Sequence, residues 1–237
     1  MDAALADTGL FRGLSRCQAE ELAGRFEQHA VTRREVVFAE GEPGEHLYVV
    51  LAGKLKLCRR APDGRQAVLA VLGPGDLLGE LTVVDGGPRS STAVALTAAR
   101  VARLPARVLR GWVRTHPPTA EAVLALLARQ VRRSTDGLTG VAWSDVPSRL
   151  AGHLLDLAVR FGSVEDGRAR VTHDLSQEEL GHLVGATRET VNKTLGEFSR
   201  RGWIRTDGRT LVILDPVRLA RRAGLPGAGR SRLPLAG

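Results

Sequence analysis

The most regular pattern of apolar and polar positions lies in the middle of the chain, over residues 119–143. There the apolar residues recur at alternating intervals of three and four, which is the heptad repeat of a helix. Three of them share one line of the heptad: Leu124, Val131 and Leu138. The other line, which continues to Val141 or Ala142, is polar where it passes through Ser134 or Thr135.

This pattern predicts one long helix, and two interpretations of it stay open. It is either a core helix with a solvated basic face or a dimer interface interrupted by two hydroxyl side chains. Pro117 and Pro118 are expected before the helix, where proline is tolerated. A polar pair in an apolar interface must find hydrogen-bond partners or cost stability, and a bound ligand can supply them.

The chain before this helix changes its pattern near Val31. Residues 1–28 have the apolar spacing of short helices. After Val31, short β-rich runs alternate with Gly and Pro turns, which favours an antiparallel barrel or jelly roll followed by a helix over Ala106–Thr115. The predicted strands are Val36–Phe38, Leu47–Leu51, Lys54–Arg59, Ala67–Leu72, Val94–Ala99 and Val101–Leu104.

Pro147 opens a second unit with a different pattern. Asp207-Gly208 lies between two apolar runs and predicts a hairpin turn. The residues after 222 are rich in Gly, Pro and Arg and predict a disordered tail. The predicted regular elements are helices over Ser148–Phe161, Gln177–Val184 and Arg188–Arg201 and a strand over Arg170–Thr172.

The two short helices of this unit predict a helix-turn-helix. Ser176 and Glu179 form a capping box at the start of the first helix, and Thr187 caps the second. The second helix carries a polar face at the end that enters a major groove, and the following hairpin makes the motif winged. The alternative is a plain helical hairpin with a solvated charged face. The candidate DNA-binding residues are Ser176, Gln177, Thr187, Arg188, Glu189, Asn192 and Lys193.

A second candidate site lies in the β-rich part, over residues 79–93, which we name the cassette. Arg89 offers several donors for a phosphate, with the Ser90 hydroxyl beside it. Gly79 allows a backbone to approach closely, and Glu80, followed by Leu81, can accept from sugar hydroxyls. The alternative is a surface turn with an exposed arginine.

Charge favours an acidic partner, with nucleic acid first. The net charge is +8, and the region beyond residue 199 holds nine arginines against two aspartates. We find no run of apolar residues long enough to span a bilayer, no signal-peptide pattern and no disulfide framework from Cys17 and Cys58. We therefore expect a cytoplasmic protein without a membrane partner.

The catalytic and metal-binding classes that share a β-barrel are disfavoured. A cupin-type metalloenzyme needs clustered histidines, whereas the β-rich part has His46, with His29 just before it. An iron–sulfur sensor needs four cysteines and the chain has two. Because no catalytic triad or Walker motif appears either, we expect neither an enzyme nor a metal site.

Three segments resemble the cyclic-AMP receptor protein (CRP/FNR) family of bacterial transcription regulators, and the likeness covers about residues 5–222. The resemblance is especially close to actinobacterial members. The segments are Val184-Gly185-Ala186-Thr187-Arg188-Glu189-Thr190-Val191-Asn192-Lys193, Phe38-Ala39-Glu40-Gly41-Glu42-Pro43-Gly44 and Arg59-Arg60-Ala61-Pro62-Asp63-Gly64.

The resemblance implies an α+β fold in four parts. These are an antiparallel, cyclic-nucleotide-binding β-roll (1–116), a dimerisation helix (117–144), a winged helix-turn-helix (145–222) and a disordered tail (223–237). It also implies cyclic AMP as the effector, a homodimer, a pseudo-palindromic double-stranded DNA site and RNA polymerase as a partner. The alternative is a regulator of the same fold that binds DNA without cyclic AMP or senses another small molecule.

By the same resemblance, Glu80 holds the ribose while Arg89 and Ser90 hold the cyclic phosphate, with Gly79 and Leu81 beside them. Ser134 and Thr135 contact adenine, one from each subunit. One departure stands out: Gln130 occupies a position that is often arginine in the family and paired with the pocket glutamate.

Overall fold

The computed structural model describes residues 2–61, 64 and 66–225, and the side chains of these residues except those of 136 and 138–142. The chain divides into two compact units, one up to Thr135 and one from Asp136 onward. Within the described ranges, no helix is long and apolar enough to cross a membrane. The predicted tail lies outside the described residues from position 226 onward.

The first unit begins with short helical segments, as the sequence predicts. They are helix α1 (Ala3–Ala6), a 3-10 turn (Gly9–Phe11) and helix α2 (Arg16–Ala23). A reciprocal capping box between Ser15 and Gln18 starts α2. Regular helix ends earlier than predicted, because Glu27 and Gln28 already pair with strand residues Arg103 and Ala102.

Two four-stranded antiparallel sheets follow and form the β-roll. One has the strand order β1-β8-β3-β6 and the other β2-β7-β4-β5. The antiparallel roll confirms the predicted fold class. The strands are β1 (Glu27–Val31), β2 (Val36–Phe38), β3 (His46–Ala52), β4 (Leu55–Arg60), β5 (Gln66–Leu72), β6 (Leu77–Leu78), β7 (Thr92–Ala95) and β8 (Ala99–Pro105).

Strand β3 is apolar from Leu47 onward because both of its faces are covered. Leu47, Val49 and Leu51 pack against the helices, whereas Val50 packs against the other sheet. Successive side chains of a strand point to opposite faces, so an unbroken apolar run is the expected pattern for such a strand.

The predicted strand Val94–Ala99 is shifted in the structure. Strand β7 ends at Ala95 because the next amide, that of Leu96, donates to the carbonyl of Lys54 (2.8 Å). The Thr97 hydroxyl accepts from the Lys54 amide (2.9 Å). These two bonds turn the chain out of the sheet before β8 begins.

Helix α3 (Glu80–Asp85) lies inside the cassette, and helix α4 (Ala106–Thr115) leads to the long helix α5 (Pro117–Trp143). Pro117 and Pro118 form the first turn of α5 rather than preceding it, which is allowed because first-turn amides lack helical partners.

Helix α5 buries one face and exposes another. Ala122 and Val123 are buried in the first unit, whereas Leu124 and Val131 are each 65% exposed. The core-helix interpretation therefore fails for Leu124 and Val131. The side chains of Leu138, Val141 and Ala142, which the heptad also includes, lie outside the described set.

The second unit contains a four-stranded sheet with the order β11-β12-β10-β9. The residues that its helices bury include Leu150, Leu154, Leu180 and Leu219. Its elements are α6 (Val146–Phe161), β9 (Ser163–Glu165), β10 (Arg168–Thr172), α7 (Gln177–Val184), α8 (Arg188–Arg200), β11 (Ile204–Asp207), β12 (Thr210–Ile213) and α9 (Pro216–Arg222).

Three details of this unit differ from the prediction. Helix α6 starts before Ser148 because the Asp145 carboxylate caps it, accepting from the Ser148 amide (2.9 Å). The hairpin turn consists of Gly208 and Arg209, since Asp207 pairs with Thr210. Strand β9 and helix α9 were not predicted.

Candidate functional site

Arg89 is the centre of the cassette and is almost fully buried, with 4% of its surface exposed. Its Nη1 donates to the Gly79 carbonyl (3.1 Å) and its Nη2 to the His46 carbonyl (2.7 Å). The guanidinium also lies 4.3 Å from the Phe38 ring centroid and 5.6 Å from that of Tyr48. The interpretation as a surface turn with an exposed arginine is therefore wrong.

The electrostatics of Arg89 fit an anionic ligand. Burial lowers the pKa of its guanidinium, while Tyr48, Glu80 and Glu42 oppose that shift. Among the described residues, none accepts a hydrogen bond from its buried Nε. A buried donor without a partner costs free energy, and a phosphate oxygen would satisfy it.

Gly79 is required where Arg89 crosses the chain. Its φ is +83°, and a Cβ at this position would lie 2.2 Å from Nη1 of Arg89. Gly79 immediately precedes Glu80, the first residue of α3. The structure thus brings Gly79, Glu80 and Arg89 together, while Leu81 and Ser90 are exposed nearby in the chain.

The loop at residues 41–44 braces the cassette. The Arg89 amide donates to the Glu42 carbonyl (2.8 Å), and the Gly41 amide donates to the Arg89 carbonyl (2.9 Å). A Cβ on Gly44 would lie 1.8 Å from Cγ2 of Thr82, so this loop contacts α3 directly. This segment carries part of the family resemblance, but its pattern of residues did not predict its supporting role.

Glu80 links the cassette to helix α5. Burial raises the pKa of its carboxyl, and a hydrogen bond from the Gln130 side chain partly opposes that rise. Gln130 therefore contacts the glutamate with which the family's arginine is expected to pair, but it contributes no positive charge.

Ser134 and Thr135 are exposed on α5, one turn beyond Gln130. The Thr135 hydroxyl donates to the Val131 carbonyl (3.0 Å), the bond to backbone that such a residue makes within a helix. Their expected contact with a ligand stays a prediction.

The helix-turn-helix is fixed by capping at both ends of α7. Ser176 and Glu179 form the reciprocal box, with N···O distances of 3.1 and 2.6 Å. Gly185 ends the helix with a φ of +65°. A Cβ on Gly181 would lie 2.6 Å from the Ala186 carbonyl oxygen, so the turn packs closely on α7.

Helix α8 separates a buried face from an exposed one. The Thr187 hydroxyl caps it by accepting from the Thr190 amide (3.2 Å), and Val191, Thr194 and Phe198 are buried. The candidate DNA-binding side chains Gln177, Thr187, Arg188, Glu189, Asn192 and Lys193 are exposed, and Ser176 is partly exposed.

The β11–β12 hairpin, which we call the wing, is held near the start of α7. The His173 amide donates to the Arg209 carbonyl in the turn of this hairpin (3.0 Å). This arrangement, a paired hairpin directly after α8, is that of a winged motif rather than a plain helical hairpin. In the part of the chain that the structure describes, no three His, Cys, Asp or Glu side chains cluster as a metal site would require.

Two family models match the chain in the expected order. Residues 28–116 match the cyclic nucleotide-binding domain, and residues 148–222 match the Crp-like helix-turn-helix domain. A CRP-like cAMP-activated global transcriptional regulator from Mycobacterium tuberculosis is 47% identical over 94% of this chain and 100% of that protein.

Two further relatives come from Thermus thermophilus. The cyclic AMP receptor protein of that organism is 30% identical over 89% of this chain and 94% of that protein. A solved structure of a CRP-family transcriptional regulator has a TM-score of 0.72 at 31% identity and covers 84% of this chain and 97% of that one. Together with the two domain matches, these likenesses show that the chain belongs to the CRP/FNR family of DNA-binding transcription regulators, which are not enzymes.

Proposed function

We propose that this protein is a homodimer whose affinity for a pseudo-palindromic DNA site rises when cyclic AMP binds. The observation that carries the proposal is the buried Arg89 with its unsatisfied Nε, next to a glutamate that α5 contacts through Gln130. An anion at Arg89 and a hydroxyl at Glu80 are the two groups that a cyclic nucleotide presents together.

In this proposal the cyclic phosphate binds Arg89 and the Ser90 hydroxyl, and the ribose hydroxyl binds Glu80. Gly79 and Leu81 supply the surrounding backbone. The adenine base lies against Ser134 of one subunit and Thr135 of the other. Two of the relatives named above are described as cyclic-AMP proteins, which supports cyclic AMP as the nucleotide.

The proposed dimer forms along α5. Leu124 and Val131 are one heptad apart and are exposed in the single chain, which leaves an apolar line without a partner. A second copy of α5 would cover this line and bring one residue of the Ser134–Thr135 pair beside the partner's base site.

The proposed DNA contact places α8 in the major groove. Arg188 can bond a guanine through two donors, and Glu189 can accept from a cytosine. In this proposal Ser176, Gln177 and Thr187 contact phosphates, because they lie at the N-termini of α7 and α8, where the helix dipole favours an anion. RNA polymerase is the proposed protein partner, and the cytoplasm is the proposed location.

One observation favours a second candidate function. Gln130 is neutral, so it stabilises the Glu80 carboxylate less than an arginine would, and burial raises the pKa of Glu80. Glu80 is therefore expected to be a weaker acceptor for the ribose hydroxyl. The second candidate is a regulator of the same fold that binds DNA without cyclic AMP or responds to another small effector.

Calorimetry with cyclic AMP and cyclic GMP on the purified protein separates these candidates. We expect saturable binding of cyclic AMP and weaker binding of cyclic GMP, since the two relatives named above are described as cyclic-AMP proteins. An absence of heat with both nucleotides, in a protein that still binds DNA, would support the second candidate.

A further inference from the structure

The two residues that join α5 to α6, Ser144 and Asp145, are held by side chains from both ends of the second unit. Asp145 uses both carboxylate oxygens. Its Oδ1 accepts from the Ser148 amide at the start of α6 (2.9 Å), and its Oδ2 accepts from Nη2 of Arg222 (2.6 Å). Arg222 also donates from Nη1 to the Ser148 hydroxyl (2.5 Å).

Arg222 reaches this junction because helix α9 packs on the unit. Leu219 and Ala220 of α9 are buried, and α9 contacts α6, where a Cβ on Gly152 would lie 3.9 Å from that of Ala223. The hydrogen bond from Arg222, followed by that from Ser148, holds the pKa of Asp145 well below its usual range. The Asp145 carboxylate is therefore ionised at neutral pH.

A second arginine links the same junction to the helix-turn-helix. Arg149 of α6 donates from Nη1 to the Ser144 carbonyl (2.5 Å) and from Nε to the Val184 carbonyl (2.8 Å). Val184 is the last residue of α7 and directly precedes the turn at Gly185. The Arg149 guanidinium thus holds both Ser144, which follows α5, and Val184, which precedes the turn between α7 and α8.

We propose that Arg222, Arg149 and Asp145 form a junction clamp and that Arg222 is a positioning residue for DNA binding. The clamp fixes Ser144 and Asp145 to the DNA-binding unit. A movement of α5 is then passed on to α8 instead of being lost by bending at Ser144 and Asp145. Helix α9 then has a role in transmission besides packing. This inference rests on the proposed effector-dependent DNA binding.

The test compares Arg222→Ala with Arg218→Ala and Arg222→Lys in the full chain. Arg218 is a matched control, because it lies on the same helix but pairs with Asp215 (3.4 Å). Its replacement by alanine removes the same charge. DNA affinity is measured with and without cyclic AMP, and amide hydrogen exchange is followed over residues 146–150.

We expect Arg222→Ala to reduce the ratio of DNA affinities with and without cyclic AMP by about two- to fivefold, the range that a partly exposed ion pair supports. The Ser148 and Arg149 amides should exchange faster. Arg218→Ala should change neither quantity, and Arg222→Lys should restore part of both. Circular dichroism checks that each variant is folded.

The clamp is overturned if Arg222→Ala matches Arg218→Ala in exchange, or if exchange is faster while the affinity ratio keeps its wild-type value. If the wild-type protein binds DNA equally well with and without cyclic AMP, the proposed function is refuted. The proposed role of Arg222 in transmission is then refuted as well. The exchange comparison, which needs no effector, would still decide whether Arg222 holds the junction.

Discussion

At the scale of single residues, the proposed nucleotide binding depends on Arg89. Its replacement by alanine removes hydrogen bonds to a charged group, worth about 1.5–3 kcal/mol, or roughly 10- to 150-fold in affinity. Calorimetry should show that loss for cyclic AMP. Arg59→Ala, at an exposed arginine paired with Glu40 (2.9 Å), should bind like wild type. A folded Arg89→Ala protein with unchanged affinity would show that the cassette does not bind the phosphate.

Glu80 gives a prediction for pH. Because burial raises its pKa above the ordinary 4.5, the unfolded chain loses this proton first as pH rises, and the folded state is then penalised. Glutamine avoids that penalty. The melting temperature of Glu80→Gln relative to wild type should therefore increase from pH 4 to pH 7. A difference that stays constant across this range would show that the carboxyl ionises normally.

Residue chemistry selected Gly79, Glu80 and Arg89 from the sequence as candidates for binding a sugar phosphate, and the structure brings the three residues together. It did not find the aromatic platform of Phe38 and Tyr48 under Arg89. These residues come from different sheets, and their approach depends on long-range strand register that no local pattern encodes.

At the scale of elements, α5 carries the proposed signal. Replacing Ser134 and Thr135 with leucines should fill the polar gap in the apolar heptad, keep the proposed dimer and make DNA affinity insensitive to cyclic AMP. Arg133→Leu is the control, since the helical period places it opposite Leu124 and Val131. DNA titrations with and without ligand measure the response. If the double variant keeps the full wild-type response, the polar pair does not transmit the signal.

Helix α8 should read sequence through its first turn. Arg188→Ala should cost about 1–3 kcal/mol of DNA binding and relax discrimination at one guanine. Arg200→Ala, at the far end of the same helix, serves as the control for loss of charge. Binding is measured on a set of single-base operator variants. A uniform loss over all of them would make Arg188 a phosphate contact.

The elements that the sequence located well have strong local signals. Helix α7 was predicted with its observed bounds because a capping box and a glycine mark its ends. Strands β1 and β9 were missed because their residues are largely exposed and polar, and their pairing partners are distant or follow an exposed turn. Helix α9 is short and arginine-rich, and its two buried residues are too few to show the apolar periodicity of a helix.

At the scale of the whole molecule, the order of the main elements could be predicted, whereas the hydrogen bonds at the start of α6 could not. The β-rich pattern, the long heptad helix and the helix-turn-helix follow one another in the sequence. The junction at Asp145 depends on Arg222, which lies 77 residues away and was assigned to the edge of the DNA-binding domain. Contacts of that kind become visible only in three dimensions.

The most direct test of the account is a DNA titration of the wild-type protein with and without saturating cyclic AMP. The DNA should carry a two-fold pseudo-palindrome with half-sites about one helical turn apart. Coupling between two sites on one protein is typically about 1–3 kcal/mol, so cyclic AMP should tighten binding roughly 5- to 150-fold, near the low end because Gln130 is neutral. Equal affinities in the two titrations would contradict the account.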